Sequence, residues 1–129
     1  MDRKNRRLFV GCGNKLMAVV DADSGRVLAT IPIGSGVDAT AFDPGTSLAF
    51  SSNGDGTLTV VREESPDKFT VVENVATQRG ARTMALDEKT HNVYLVTAEF
   101  GPPREPTPDN PRGRPSMLPG SFVLLVFGQ

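Results

Sequence analysis

Short runs of apolar and β-branched residues alternate with turn-forming residues along the whole chain. Residues 48–50 and 57–61, for example, flank the tetrapeptide Asn53-Gly54-Asp55-Gly56. Asn and Gly tolerate the positive φ angles of a tight hairpin turn, so this stretch predicts two antiparallel strands. Comparable turn signals recur about every ten residues, which favours short strands throughout and leaves little room for helices.

The same order of strands occurs three times. Apolar residues near Leu8, Leu48 and Val93 are equivalent in our alignment, with a spacing of about 40 to 45 residues. The later strands of each unit align as well. The aligned segments are 16–20, 57–61 and 122–126; 26–33 and 68–75; and 36–43 and 80–87. A period of this length suits one four-stranded unit.

One segment also fits a helix. Ser65-Pro66-Asp67-Lys68 has the composition of a helix start, and apolar residues follow it at Val71 and Val75. We favour an outer strand here, because the segment is rich in Thr and Val and aligns with a stretch in which Pro32 would break a helix.

The stretch "RLFVGCGNKLMAVVDADSGRVLATIPIGSGVDATAFDPGTSLAFSSN" resembles the YVTN-type β-propeller repeat. The second unit departs from that pattern, since Glu63-Glu64-Ser65-Pro66-Asp67 replaces the usual Asp-x-x-Thr-Gly turn. The resemblance implies an all-β fold of four-stranded antiparallel blades, here a partial propeller of about three blades. We predict a single domain with blade one at 7–33, blade two at 37–75, and blade three at 81–127 with a Pro-rich insertion at 100–120.

With strands labelled a to d from the axis outwards, the prediction is b-c-d, then a-b-c-d, then a-b-c. An arc of this kind has two apolar blade faces that no neighbour covers. We therefore expect either a homo-oligomer, in which two chains close a ring, or missing N-terminal blades of a longer chain. Both alternatives stay open at this point.

Composition narrows the choice of partners and chemistry. Fourteen basic and fifteen acidic residues give a formal charge of -1, so no strong field favours nucleic acid, and binding to it is not expected. The longest apolar run, residues 16–20, is too short to span a membrane, and no export signal is visible. A single cysteine, Cys12, excludes an internal disulfide, and we expect it to be a packing residue. The localisation is not indicated; full-length relatives of the resembled family imply an extracytoplasmic setting.

Candidate catalytic groups are few. The one histidine, His91, lies in a predicted turn, where we expect it to be solvated, and no triad, metalloprotease or phosphate-binding motif is present. The turn at residues 53–56 lacks the further carboxylates that a calcium loop needs. We therefore predict no catalytic residue, no metal and no cofactor. The alternative, a quinoprotein-like or lactonase-like enzyme, would need axis-facing acids, for which Asp38 and Glu99 are the candidates.

The predicted blades bring the b–c turns and d–a connections together on one face of the arc, which we call the loop face. The insertion 100–120 belongs to it and holds seven of the ten prolines, as a passive spanning loop or as a lid. Its Arg104, Arg112 and Arg114 are candidates for contact with an anionic partner, whereas Asp38 and Arg82, at equivalent repeat positions, are candidates for lining the channel. We predict a non-enzymatic binding or scaffold protein; single-stranded nucleic acid binding is a further alternative.

Overall fold

The structure is a computed structural model, and it describes residues 1–128. Ten β-strands and no helix occur in that range. The strands are β1 (Arg7–Cys12), β2 (Leu16–Asp21), β3 (Val27–Pro32), β4 (Val37–Asp43), β5 (Leu48–Asn53), β6 (Thr57–Ser65), β7 (Lys68–Ala76), β8 (Thr83–Asp87), β9 (Asn92–Thr97) and β10 (Val123–Phe127). The all-β prediction is confirmed. The helical alternative after Ser65 is wrong, because β7 occupies that segment as an outer strand.

The strands form three antiparallel sheets in the order of the chain. β1-β2-β3 make the first, β4-β5-β6-β7 the second, and β8-β9-β10 the third. We refer to them as blades one, two and three. Strand β4 packs beside β1, and β8 packs beside β4, so the first strands of successive blades lie next to each other along one edge of the stack. The three strands of blade one are equivalent to β5, β6 and β7 of blade two, and those of blade three are equivalent to β4, β5 and β6.

An aspartate turn directly precedes the equivalent strands β1, β5 and β9 of the three blades. In blades two and three, Asp43 and Asp87 accept the backbone N–H two residues later, at 2.9 and 3.0 Å, and the hydroxyl three residues later. Asp2 accepts the Lys4 N–H in the same way, at 2.8 Å, and exchanges both backbone hydrogen bonds with Arg7. Asp2 therefore occupies the position at which an innermost strand would end.

These equal turns correct the predicted alignment by one residue. Each turn ends with a residue at positive φ, namely Arg6, Ser47 and His91, directly before the next strand begins. Leu48 is therefore equivalent to Arg7 and Asn92, whereas the sequence alignment set Leu48 against Leu8 and Val93. The error arose because Leu48 was matched by its hydrophobicity, although the turn geometry sets the register.

Two apolar clusters hold the three blades together. The cluster between blades one and two contains a stacked aromatic pair, Phe9 and Phe42, with ring centroids 5.1 Å apart. Its other buried members are Met17, Val19, Ile31, Ile33, Ala49 and Val61. The cluster between blades two and three consists of Leu48, Phe50, Leu58, Val60, Ala81, Val93 and Leu95. Both faces of blade two are thus covered, and every residue of β5 is buried.

The outer faces of blades one and three remain open. The most exposed large apolar side chains of strands β1 and β10 are Val10, Leu124 and Val126, and Phe122 directly before β10 is exposed as well. These side chains lie on faces that correspond to the covered faces of blade two. The predicted uncovered blade faces are therefore present in the structure.

Blade stacking predicts a position-dependent cost for the same substitution. Val61 is fully buried between blades one and two, whereas Val27 is exposed on β3. We expect Val61→Ala to lower the free energy of unfolding by about 1.5–3 kcal/mol, since it removes two buried methyl groups and leaves a cavity between the blades. Val27→Ala is the matched control and is expected to change it by less than about 0.5 kcal/mol. Urea unfolding followed by circular dichroism measures both. Equal effects would contradict the packing described.

Glu63 on β6 is buried without full hydrogen bonding. Asn5 donates to one carboxylate oxygen at 3.1 Å, while the other oxygen has no partner in the described residues. Burial raises the pKa of Glu63 above its ordinary value, and the nearby carboxylate of Asp2 adds to the rise. The ionised form is therefore less favourable in the folded chain than in the unfolded chain.

Glu63→Gln should stabilise the protein at neutral pH. The pKa of Glu63 is higher in the folded chain than in the unfolded chain. Ionisation of Glu63 therefore lowers the free energy of unfolding at pH values above both pKa values. We expect the variant to gain about 1 kcal/mol at pH 7, because the buried unpartnered oxygen is replaced by an amide donor facing Asp2. The gain should disappear below pH 4.5, the ordinary pKa of glutamic acid. The neighbouring Glu64→Gln is the control: Lys68 lowers the pKa of exposed Glu64, so no gain is expected. A pH-independent gain would contradict the titration.

Candidate binding site on the loop face

Three glycine-containing loops meet on the loop face through their backbones. The Gly54 N–H donates to the Gly36 carbonyl at 2.9 Å, and the Gly80 N–H donates to the Gly54 carbonyl at 3.0 Å. Gly36 and Gly80 have φ angles of 72° and 81°, a region that favours glycine. The hairpin turn of blade two is thereby fixed between the two connections that enter and leave that blade. The predicted loop face is confirmed for these three loops.

A buried polar cluster supports this junction from below. Asn53 donates to Thr57 and Thr59 at 3.0 and 3.1 Å and accepts the hydroxyl of Ser51 at 2.8 Å. Thr59 also accepts the Gly34 N–H at 3.3 Å and donates to Asn74. Buried polar groups need such partners, so the cluster fixes the loop geometry as firmly as the apolar clusters fix the blades.

The insertion folds back on itself next to this junction. Its two arms are joined at the base by hydrogen bonds from Gly101 to Ser116 at 2.9 Å and from Leu118 to Glu99 at 2.8 Å. Further out, Arg104 donates its N–H to the Gly113 carbonyl, where a side chain would clash with the backbone. At the tip, the Asn110 side chain bonds both backbone groups of Arg114. The insertion therefore projects as an irregular hairpin.

A cleft of about 560 Å³ lies between the base of the insertion and the loop junction. It is lined by Gly54, Gln78, Arg79, Gly80, Ala98, Glu99, Phe100 and Leu118. Phe100 is 57% exposed, and Met117, its partner across the arms of the insertion, is also exposed, as is Leu118. Exposed apolar side chains beside backbone polar groups are typical of a protein-binding surface. We call Phe100, Met117 and Leu118 the apolar trio.

The predicted site residues divide into two groups. Arg104, Arg112 and Arg114 are all exposed on the insertion, and none of them forms an ion pair within residues 1–128. Asp38 and Arg82 are exposed near the inner strands, on β4 and directly before β8. No ion pair joins Asp38 to Arg82 in the described structure. Arg82 approaches the loop junction, because its Cδ lies 3.9 Å from the position that a Gly54 Cβ would take.

Sequence reasoning missed the apolar trio and Arg79. Glu99 was considered only as an axial acid, and the structure places it at the cleft. The available signal was the presence of apolar residues at both ends of the Pro-rich segment. Such residues mark the two arms of a hairpin, but their pairing depends on backbone hydrogen bonds that composition does not reveal.

The prediction of a solvated His91 is only partly right, because the side chain is 37% exposed but its ring also contacts a buried carboxylate. Its Nδ1 lies 2.8 Å from Oδ2 of Asp43, a carboxylate that is fully buried. Burial opposes ionisation of Asp43, but hydrogen bonds from Thr46, Gly45 and His91 outweigh it and hold its pKa below the ordinary value. The contact joins the aspartate turn of blade two to that of blade three, so it is explained as a link between blades. Cys12 is partly buried, with its thiol 3.6 Å from the Val10 carbonyl.

Within the described residues no helix is long and apolar enough to cross a membrane. In the same part of the chain, no three histidine, cysteine or acidic side chains are grouped as metal ligands would be.

Comparison with solved structures identifies the architecture. The chain superimposes on "Dihydro-heme d1 dehydrogenase NirN in complex with DHE", a β-propeller protein, with a TM-score of 0.62 over 94% of its residues. The fold is that of a partial β-propeller. The identity is 20%, which supports the fold alone, and the chain spans 22% of that protein's length. No protein-family model and no curated protein matches the sequence.

The loop face of this partial propeller depends on Asn53. Asn53→Ala should leave the buried Ser51 hydroxyl without its acceptor, and we expect a loss of about 1–3 kcal/mol in the free energy of unfolding. Asn14→Ala, at an exposed position in the corresponding turn of blade one, is the control and should change it by less than about 0.5 kcal/mol. Chemical denaturation measures both variants. A neutral Asn53→Ala would mean that the cluster does not support the loops.

Proposed function

We propose that this partial propeller is a non-enzymatic binding or scaffold protein that acts through its loop face. In this proposal residues 1–129 are a single domain of YVTN-type repeats, with blades at 7–33, 37–75 and 81–127 and the insertion at 100–120. The ligand is a segment of a partner polypeptide that places an apolar side chain in the cleft. The observation that carries the proposal is the exposed apolar trio beside the cleft.

The chemistry of the cleft supports a polypeptide ligand. Phe100 and Leu118 offer apolar contact area, while Gln78 and Arg79 offer hydrogen-bond donors at the same opening. Interfaces between proteins combine these features, with a few buried aromatic or arginine side chains contributing most of the binding energy. The cleft also has carboxylate and guanidinium groups of opposite sign, which suits a peptide backbone better than a highly charged ligand.

The charged residues take outer positions in this proposal. Arg104, Arg112 and Arg114 extend along the insertion and would contact acidic groups of the partner at the rim. Asp38 and Arg82 would line the inner edge of the surface. Exposed charges of this kind change the rate and salt dependence of association more than its affinity.

Two other functions are weaker candidates. The matched propeller is named a dehydrogenase, and an enzyme of quinoprotein-like or lactonase-like type would use axial acids such as Asp38 and Glu99. Single-stranded nucleic acid binding would need several stacking aromatics along a basic groove, whereas the formal charge is -1 and the chain has a single Tyr. A stoichiometric metal or a visible chromophore in the purified protein would favour the enzyme, and a salt-dependent shift of an oligonucleotide would favour nucleic acid binding.

Selection from a random peptide library displayed on phage tests the proposal. Peptides enriched on the wild-type protein are synthesised with a fluorophore, and their dissociation constants are measured by anisotropy. We expect Phe100→Ser to weaken binding at least tenfold, or about 1.4 kcal/mol. Val72→Ser, which alters an exposed side chain on the outer strand β7, should leave binding unchanged.

A second variant distinguishes binding in the cleft from charge contacts at the rim. Replacing Arg104, Arg112 and Arg114 together by Gln should preserve the affinity at high salt and reduce it at low salt for acidic peptides. Enriched peptides that bind wild type and Phe100→Ser equally would contradict the cleft as the site. Failure to enrich any peptide would contradict the peptide-binding function itself.

A further inference from the structure

The face of each blade that points toward the next blade carries three side chains of similar kinds. In all three blades an aromatic residue pairs with a valine on the neighbouring strand, and a methionine or leucine lies two residues before that valine. We call this set the leading row, because it points toward the next blade in the chain. Its members are Phe9, Met17 and Val19 in blade one; Phe50, Leu58 and Val60 in blade two; and Tyr94, Leu124 and Val126 in blade three.

The first two leading rows are buried and the third is not. Leu58 and Val60 are 1% and 8% exposed, whereas their equivalents Leu124 and Val126 are 55% and 53% exposed. The row is apolar in all three blades apart from the hydroxyl of Tyr94, and within residues 1–128 no blade follows blade three to cover it. Blade three thus has a leading row that no other described residue covers.

The opposite face has a corresponding trailing row. In blade two this row is Ala49, Ser51 and Val61, all fully buried, and Ala49 and Val61 pack in the cluster between blades one and two. The equivalent row of blade one is Leu8, Val10 and Val20, of which Val10 is exposed and the other two are partly exposed. Blade one therefore has an apolar trailing row that is left uncovered by residues 1–128.

We infer that the leading row of blade three binds the trailing row of blade one in a second copy of this chain. Both contacts inside the chain join a leading row to a trailing row, and neither joins two rows of the same kind. The proposed contact continues that pattern with the two rows left open. No charged side chain belongs to either row, so close approach carries no repulsion between like charges. The interface is heterologous, with each copy using a different face. It is independent of the loop-face function proposed above.

A mixing experiment tests the pairing of unlike faces. Val126→Asp places a charge in the open leading row, and Val10→Asp places one in the open trailing row. Both positions are exposed in the single chain, so each variant should fold. Sedimentation velocity at about 50 μM should show wild type as an assembly and each variant as a 13.8 kDa monomer. An equimolar mixture of the two variants should form a heterodimer, since one retains the trailing row and the other the leading row.

The controls distinguish this contact from other associations. Val72→Asp changes an exposed valine on β7 of blade two, outside both open rows, and should sediment as wild type does. Circular dichroism confirms that each variant is folded, and Phe100→Ser should assemble normally because the loop face is not involved. A monomeric wild type would overturn the inference. Assembly of Val126→Asp or Val10→Asp alone, or a mixture that stays monomeric, would overturn the pairing of leading and trailing rows.

Discussion

The burial of sheet faces is the constraint on which the rest of this structure depends. Each blade has apolar side chains on both faces, and a three- or four-stranded sheet of this size cannot cover either face with its own atoms. Stacking solves this for blade two, whose strand β5 is buried throughout. At the ends of the stack the faces stay uncovered. Leu124 and Val126 are apolar, as core residues are, but they are as exposed as surface residues.

Polar side chains determine the turn lengths, the strand register and the loop geometry, which apolar packing alone does not specify. Asp2, Asp43 and Asp87 accept equivalent hydrogen bonds and set the length of each inner turn, which in turn sets the strand register. Asn53 and its partners do the same for the loop face. Hydrogen bonds are directional, so these side chains specify positions, whereas the apolar clusters mainly provide free energy.

The sequence was sufficient for the strands and the architecture because both depend on local signals. Turn residues such as Asn53 and Gly54 interrupt apolar runs at regular intervals, and the repetition of the pattern indicates stacking. The sequence was insufficient for contacts between residues that are distant along the chain and for the exact strand register. The contact of His91 with Asp43 spans two blades and follows no motif spacing, and the alignment of Leu48 was one residue off because hydrophobicity was weighed above turn length. The base of the insertion was missed for the same reason, since Phe100 and Met117 are brought together only by the folding back of a Pro-rich segment.

The complete burial of β5 should make this strand the slowest part of the molecule to exchange its amide protons. Its backbone N–H groups are bonded to strands on both sides and covered by side chains from both neighbouring sheets. In stacked repeats, local opening starts at the terminal units and advances inward. Fraying should therefore begin at β3 and β10, and the junction of Gly36, Gly54 and Gly80 would persist until the molecule opens as a whole.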